Sequence, residues 1–316
     1  MSARDRAMTT VRIFIFMIVL VWVISCTNET VIPVDLSKRS DITASRESDV
    51  ITYAYLPQYS HRTSYQRHHL LIKYLRAETG LKIEQIFPDT FDEHIRMVGQ
   101  GKIDITFSNP MVYALLAKRY GSQAFARIIE LDGKAEFRGL IFTRSDNAAI
   151  RTLQDCRGKR WYAVDPASAG GYLFGLGHFY EHGIRKEDFA EIAFAPGPGG
   201  KSEKVVLAVH AGKYDFGTVR EGTLAVVADK IDITEIRVIA QTRWYPGWVY
   251  SARKGLDPDV IARIREAMLR LDRGNPEHRR ILEAATFSGI IPSHDRDFEA
   301  LNALIATVGL PPGSPD

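Results

Sequence analysis

Short runs of β-branched and aromatic residues alternate with amphipathic stretches along most of this chain, beginning at Ile51. The short apolar runs predict strands, and apolar residues at helical spacing predict helices between them, as over residues 64–77. The predicted strands cover residues 51–56, 81–87, 103–107, 126–131, 139–143, 160–164, 192–195, 215–219, 236–241 and 248–252. Such alternation is typical of an α/β fold with mostly parallel sheets, whose binding sites lie at the carboxyl ends of the strands.

The pattern changes after residue 256. Two apolar helices are predicted there, over residues 258–271 and 297–308, with no strand between them. Asp257 gives the first of these helices an N-cap, and Pro258 occupies its first turn. We expect both helices to pack back onto a sheet formed by earlier residues.

The first 25 residues have the pattern of a lipoprotein signal peptide. Three arginines are followed by an unbroken apolar run over residues 13–24 and then by a Val-Ile-Ser-Cys sequence that ends at Cys26. The alternative is an uncleaved membrane anchor, but a span needs about 20 apolar residues. We therefore expect cleavage before Cys26 and acylation of its thiol, which places the protein outside the cytoplasm on a bacterial membrane. Residues 26–49 are polar and are predicted to be a tether.

Charge and cysteine content exclude two classes of function. The chain has 41 basic and 38 acidic residues; three of the basic residues and one of the acidic residues precede Cys26, which leaves 38 against 37. A nearly neutral domain has no general field for nucleic acid. Cys156 then remains as a single thiol, which we interpret as a small buried residue and not as a nucleophile. About 290 residues follow the leader, enough for two lobes.

Residues 165–171 (DPASAGG) form the strongest candidate for a binding site, because they follow a predicted strand and precede a predicted helix. A helix N-terminus offers free N–H groups and partial positive charge. Ser168 can cap this helix, and Ala169, Gly170 and Gly171 place backbone N–H groups where an oxyanion can approach. The alternative is an ordinary turn that needs glycine for conformational reasons.

Other candidates lie in loops that follow predicted strands. Ser108 and Asn109 precede a second helix and bind an anion or simply cap that helix. Tyr59 and Ser60 lie in the loop after the first strand, which is a ligand loop or a solvated surface loop. Residues 195–202 resemble a phosphate loop but lack its spacing, and they are interpreted as a turn.

Two arginines could supply a guanidinium to an anion. Arg138 precedes one predicted strand, and Arg220 follows another. Arg220 could instead form an ion pair with Glu221 at a helix start. The aromatic residues of 244–248, Trp248 among them, form either a wall of the cleft or packing between lobes.

Four segments together resemble the phosphate-, phosphite- and phosphonate-binding proteins of ABC importers, the PhnD-like group. These segments are residues 88–91 (PDTF), 101–110 (GKIDITFSNP), 165–171 and 208–215 (AVHAGKYD), within a resemblance that spans about residues 51–310. The resemblance implies a two-lobed type II periplasmic binding fold, each lobe a mostly parallel sheet flanked by helices. It also implies two crossings between lobes, which we expect to divide the chain into residues 50–137 plus 246–310 and residues 138–245.

The resemblance also implies a ligand shell, from which this chain departs. Phe91 stands where the family often has tyrosine, and Phe107 with Ser108 replaces an aromatic or hydroxyl-bearing pair. The family's Ser-Thr-Ser-Gly turn becomes residues 168–171, of which only Ser168 keeps a hydroxyl. Trp248 occupies the position of a carboxylate that in some relatives holds an amine. An aminoalkylphosphonate is therefore not the expected ligand.

The predicted function is that of an extracytoplasmic solute-binding lipoprotein, a monomer that delivers a small oxyanion to an ABC permease. A sensor that signals to a membrane kinase remains the alternative, because the same fold serves both roles. We find no pair of nucleophile and base that an enzyme would need. Neither a cofactor nor a metal is expected.

Overall fold

The computed structural model describes residues 49–197 and 199–309. The predicted signal peptide, Cys26 and the tether up to residue 48 lie outside these residues. The strands are β1 Val50–Tyr55, β2 Lys82–Ile86, β3 Ile105–Ser108, β4 Gln123–Ile129, β5 Glu136–Phe137, β6 Gly139–Arg144, β7 Arg160–Ala163, β8 Glu191–Phe194, β9 Phe216–Arg220, β10 Ile236–Gln241, β11 Tyr245–Pro246, β12 Val249–Ala252 and β13 Gly289–Pro292.

Nine α-helices are found among the described residues. They are α1 His61–Thr79, α2 Phe91–Gly99, α3 Pro110–Tyr120, α4 Phe174–Glu181, α5 Lys201–His210, α6 Thr223–Val226, α7 Pro258–Leu269, α8 Pro276–Ala285 and α9 Glu299–Val308. A π-helical turn, Ala169–Leu173, leads directly into α4. Their limits follow local rules: in α3, for example, the Asn109 side chain accepts from the amides of Met111 and Val112, and Gly121 ends the helix at φ 68°.

The first lobe is built on a six-stranded sheet with the order β13-β4-β12-β3-β1-β2. β1 is parallel to β2 and β3, while β12 lies antiparallel between β3 and β4. β1, β3 and β4 therefore end at the same edge of the sheet. The segments that follow these three strands are placed side by side.

The second lobe is built on a five-stranded sheet with the order β10-β6-β9-β7-β8. β7 is parallel to β8 and β9, and β6 is antiparallel to β9. The carboxyl ends of β7, β8 and β9 share one edge. In the sheet's interior the indole N–H of Trp161 donates to the hydroxyl of Thr218 at 3.0 Å, so this buried aromatic residue has its polar atom satisfied.

The chain passes between the lobes at β5 and at β11. These two short strands pair antiparallel, with Tyr245 opposite Phe137 and Pro246 opposite Glu136. The predicted α/β class and the two interlobe crossings are confirmed. The exact limits of the lobes stay a prediction, since the crossing strands belong to neither large sheet.

The C-terminal part differs from the sequence prediction. The prediction of no strand after residue 256 is wrong, because β13 follows α8 and pairs with β4 at the sheet edge. A four-residue segment that begins with Gly289 and ends with Pro292 has neither the length nor the alternation by which a strand is recognised. The strand forms because β4 offers an open edge to it.

Candidate functional site

A small cavity of about 20 Å³ lies where the strand ends of the two lobes meet. We call it the small chamber. It is lined by Gln58, Phe91, Asn109, Phe137, Val164, Ser168, Ala169, Gly170, Gly171, Ser202, Arg220 and Trp248. Eight of the twelve ligand-binding residues proposed from the sequence are therefore brought together here.

Helix starts surround the small chamber. Phe91 is the first residue of α2, Asn109 caps α3, Ser168 caps the turn that leads into α4, and Ser202 is the second residue of α5. Each helix N-terminus carries partial positive charge and N–H groups without partners inside the helix. The chamber is therefore attractive to an anion before any charged side chain is considered.

The turn after β7 supplies free backbone donors. Ser168 donates its amide to the Asp165 carbonyl at 2.9 Å, and its hydroxyl accepts from the amide of Gly171 at 3.2 Å. For the amides of Ala169 and Gly170 there is no acceptor within the described part of the chain. Two adjacent N–H groups at a helix start are a suitable cradle for an oxyanion.

The acid nearest to this turn is neutralised. Asp165 accepts a 2.6 Å hydrogen bond from the ammonium group of Lys201, and its other oxygen accepts from the amide of Ala167 at 2.9 Å. Lys201 also lies over the ring of Phe91, at 5.6 Å from its centroid. The carboxylate thus orders the turn without adding an unpaired negative charge beside the free amides.

The glycines of this turn are required by packing. A Cβ added to Gly170 would lie 2.8 Å from the Cβ of Arg220 and 2.8 Å from the ring of Phe137. A Cβ on Gly171 would overlap the side chain of Val164. Neither glycine has a positive φ. The sequence argument ascribed them to close approach of a ligand, whereas the structure shows that neighbouring protein atoms already exclude a side chain.

Arg220 is the guanidinium of the small chamber. It is the last residue of β9 in the second lobe, and its guanidinium donates to Glu130, which follows β4 in the first lobe, at 2.7 Å. Burial opposes the charge, but Glu130 and the nearby Tyr59 outweigh this effect and raise the pKa of Arg220. The alternative partner suggested by the sequence, Glu221, is held by Arg138 instead.

Polar contacts close the small chamber. The Asn109 amide group donates to the Ala167 carbonyl at 3.2 Å, and the Gly200 amide donates to the Gln58 carbonyl at 3.0 Å. Each bond joins a residue of the first lobe to a residue of the second. The structure therefore shows the two lobes in contact around the site.

Arg138 does not line the small chamber. Its guanidinium forms an ion pair with Glu221 at 2.8 Å and lies over the Trp244 ring, 4.5 Å from the centroid. Both partners are close in space because the two crossings run side by side. These contacts hold Arg138 at the crossings, where it lines neither the small chamber nor the cavity next to it.

Three other predicted residues also lie outside the small chamber. Ser60 caps α1, where its hydroxyl accepts from the Thr63 amide at 3.2 Å. Ser108 is fully buried at the end of β3, and its hydroxyl has no partner among the residues described. Tyr59 lines a second cavity next to the small chamber.

This second cavity, the large chamber, has a volume of about 340 Å³. It shares Gln58, Phe137, Ser202 and Arg220 with the small chamber, so the two cavities lie next to each other. Its other lining residues are Tyr59, Arg67, Glu130, Leu131, Asp132, Glu136, Gly200, Glu203, Glu221, Gly222, Thr223, Val226, Trp244 and Thr286.

Sequence reasoning missed several residues of these cavities. Ser202 belongs to a segment that was interpreted as a simple turn, although its glycines and its position before a helix were a usable signal. Arg67 lies inside α1, and Gln58 precedes it in the loop after β1. Neither has a local motif, so nothing in the sequence distinguishes them from surface residues.

Within residues 49–309, apart from residue 198, no group of three metal-binding side chains is found, and no helix is long and apolar enough to cross a membrane. Cys156 is fully buried, and burial raises the pKa of its thiol to about 12, as expected for an inert structural residue.

Two lobes joined by two crossings, with a cleft made of helix N-termini, define a type II periplasmic binding protein. Residues 53–298 match the family described as "ABC transporter, phosphonate, periplasmic substrate-binding protein". The chain therefore belongs to this family, which confirms the predicted resemblance and the role of substrate-binding protein for an importer. The family consists of binding proteins that act outside the cytoplasm, not of enzymes.

Known proteins support this assignment. The phosphate-import protein PhnD of Mycolicibacterium smegmatis is 25% identical over 236 residues, which cover 72% of this chain and 74% of that protein. PhnD1 from Prochlorococcus marinus, solved in complex with methylphosphonate, superposes with a TM-score of 0.72 at 14% identity, covering 83% of this chain and 99% of PhnD1. A Xanthomonas citri protein solved with ATP gives 0.71 at 20% identity, covering 83% and 97%. The solved structures establish the fold.

Proposed function

We propose that this chain captures inorganic phosphate or a small phosphonate in the small chamber and delivers it to an ABC permease. The observation that carries the proposal is the convergence of four helix N-termini on one chamber, with the amides of Ala169 and Gly170 left free. Backbone N–H groups at a helix start bind phosphoryl oxygens without further charge. Arg220 adds a guanidinium to this set.

Recognition depends more on the backbone than on hydroxyl groups. Ser168 uses its hydroxyl to accept from Gly171, so this oxygen stabilises the turn. The walls formed by Phe91, Phe137 and Trp248 are apolar. Such walls exclude water from the anion and strengthen its hydrogen bonds. Within the small chamber these three side chains provide no counter-charge for an amine, which supports phosphate or a phosphonate without an amino group.

Binding requires the lobes to separate and close again. A volume of about 20 Å³ accommodates little more than one water molecule. The lobes must therefore move apart to admit a phosphoryl group. This movement would break or lengthen the hydrogen bonds of Asn109 with Ala167 and of Gln58 with Gly200. The paired strands β5 and β11 are the connections about which the lobes would move. We place the lobe limits at residues 50–137 plus 246–310 and residues 138–245.

The proposed location is the outer face of a bacterial membrane, with the chain anchored through an acylated Cys26. The sequence of residues 1–26 supports this anchor, since it combines arginines, a short apolar run and a cysteine after small residues. Two or more acyl chains would give stable attachment. A polar tether would then let the binding domain reach its permease.

Calorimetry on the full-length chain in detergent tests the ligand. The panel is phosphate, phosphite, methylphosphonate, 2-aminoethylphosphonate and sulfate. We expect phosphate or methylphosphonate to bind at least about tenfold more tightly than 2-aminoethylphosphonate, or about 1.4 kcal/mol. Tighter binding of the amine would contradict the ligand assignment. If no phosphorus oxyanion binds, the proposed function is wrong.

A further inference from the structure

Of the two arginines that line the large chamber, Arg220 has a carboxylate partner and Arg67 has none among the described residues. The carboxylates of the chamber are mostly held by basic partners: Glu130 by Arg220, Asp132 by Lys134, Glu203 by Lys230 and Glu221 by Arg138. Glu136 is exposed and forms no ion pair with a described residue. Arg67 is partly buried and has no carboxylate partner within the part of the chain described here.

The surroundings of Arg67 favour its charge but do not neutralise it. Its guanidinium carbon lies 4.0 Å from the centroid of the Tyr59 ring. Burial disfavours the cation, but the phenol groups of Tyr55 and Tyr59 outweigh this effect and raise the pKa of Arg67. Burial also raises the pKa of Tyr55 itself, so its hydroxyl is neutral at physiological pH. A cation with only neutral partners is left facing the chamber.

The two chambers offer space for one molecule with two parts. The small chamber must widen to admit even a compact phosphoryl group, whereas the large chamber, at about 340 Å³, is already within the usual range for small-molecule sites. Arg220 lines both chambers, so only a short distance separates them. A ligand whose phosphoryl group binds the amides of Ala169 and Gly170 would therefore extend its remaining atoms toward Arg67.

We propose that the ligand carries a second acidic group, a carboxylate, which Arg67 binds in the large chamber. The substrate class is thus a phosphonate or phosphate ester with a carboxylate on a short chain. This inference rests on the proposed function, since it assumes that the phosphoryl group occupies the small chamber. A carboxylate suits Arg67 because a guanidinium can donate two parallel hydrogen bonds to its oxygens.

The test compares ligands that share a phosphonate group. Calorimetry on the full-length chain in detergent would use methylphosphonate, phosphonoacetate, 3-phosphonopropionate and the carboxyl methyl ester of each diacid. We expect at least one diacid to bind about tenfold or more tightly than methylphosphonate. Its methyl ester, which has lost the negative charge, should lose this advantage. The ester comparison needs no variant and therefore does not depend on folding.

Variants assign the effect to Arg67. In Arg67→Met the ratio of the two dissociation constants, methylphosphonate over diacid, should fall to about one. The matched control is Lys73→Met, which removes a positive charge from an exposed position of the same helix and should keep the ratio. Circular dichroism would show that each variant is folded.

The outcomes separate the two proposals. If methylphosphonate binds and neither diacid binds more tightly, the second acidic group is excluded while the proposed function stands. If Lys73→Met abolishes the ratio as fully as Arg67→Met does, a general field and not Arg67 is responsible, and the inference is wrong. If no phosphonate or phosphate binds at all, the proposed function itself fails.

Discussion

The carboxylate of Glu130 in the first lobe accepts a 2.7 Å hydrogen bond from Arg220 in the second. Only about a fifth of each side chain is exposed, 18% for Glu130 and 22% for Arg220. The pair therefore links the lobes in a region that water screens weakly. Because the guanidinium of Arg220 already has a negative partner, an incoming anion must share this guanidinium with Glu130.

Glu130→Gln should increase the affinity for phosphate or methylphosphonate by about threefold or more. Glutamine keeps the size and a hydrogen-bond acceptor but removes the charge that repels the ligand. The ligand-free variant should have a lower Tm, because Arg220 then lacks a counter-charge in a partly buried position. Calorimetry and thermal unfolding with and without ligand measure both effects.

The control for this variant is Glu84→Gln, which removes a carboxylate from an exposed position of β2. Its effects on the affinity and on the gain in Tm on adding ligand should be much smaller than those of Glu130→Gln. Unchanged or weaker anion binding by Glu130→Gln would contradict the prediction. It would show that the Glu130–Arg220 ion pair supports binding by holding the lobes together more than it opposes binding by competing for Arg220.

Gly170→Ala should weaken anion binding at least about tenfold, or about 1.4 kcal/mol. The added Cβ would lie 2.8 Å from both Arg220 and Phe137, so the turn or the guanidinium must move. Gly274→Ala is the matched control, since a Cβ there meets only the flexible carboxylate of Asp272, at 3.0 Å. Parent-like affinity in a folded Gly170→Ala variant would place the anion elsewhere.

Cys26→Ala should release the protein from its membrane or mislocalise it. The expected acyl chains on Cys26 attach the mature protein to the membrane, and removing the thiol removes the site of lipidation. Fractionation followed by mass spectrometry of the mature N-terminus checks this prediction. If the parent protein purified from membranes still begins at Met1, the expected cleavage and lipidation are contradicted. Cys156→Ala is the control, because that thiol is buried in the binding domain.

The sequence was sufficient where structure is determined locally. All ten predicted strands are present. They could be predicted because the period of their apolar residues indicates which side chains face a core. Asn109 and Ser168 were recognisable as helix caps, because capping depends on residues two or three positions away. Both residues were also predicted to bind the ligand, because the carboxyl ends of strands and the helix N-termini that follow them share one edge of an α/β sheet.

What the sequence could not show depends on contacts between distant segments. Arg220 pairs with a residue 90 positions away, and Arg138 finds a carboxylate 83 positions away. Both arginines looked equivalent along the chain, yet only Arg220 lines the small chamber. Arg67 stands out only because Arg220, the other arginine of the large chamber, already has a carboxylate partner. Such assignments need the positions of every neighbouring charge.

Acid should destabilise the protein through two buried histidines. His68 and His94 are fully buried in the first lobe. Burial lowers the pKa of His94 from 6.5 to about 3, and burial together with the charge of Arg67 lowers that of His68 to about 3. Between about pH 6.5 and about pH 3 the unfolded chain binds protons on these rings that the folded chain does not. The contribution of these histidines to stability is therefore complete above about pH 6.5 and is lost as the pH drops through this window.

His94→Gln isolates one of these contributions. The His94 ring is hydrogen-bonded to the hydroxyl of Thr106 through Nε2, a bond that a glutamine amide can replace, whereas Nδ1 has no partner among the described residues. Urea unfolding of the full-length chain at about pH 7.5 and about pH 5 should show that the variant loses less stability in acid than the parent does. His69→Gln, at a partly exposed position on α1, is the control and should keep the parent's loss. An equal loss for His94→Gln and the parent would mean that the folded protein protonates His94 readily, and that other groups cause its acid sensitivity.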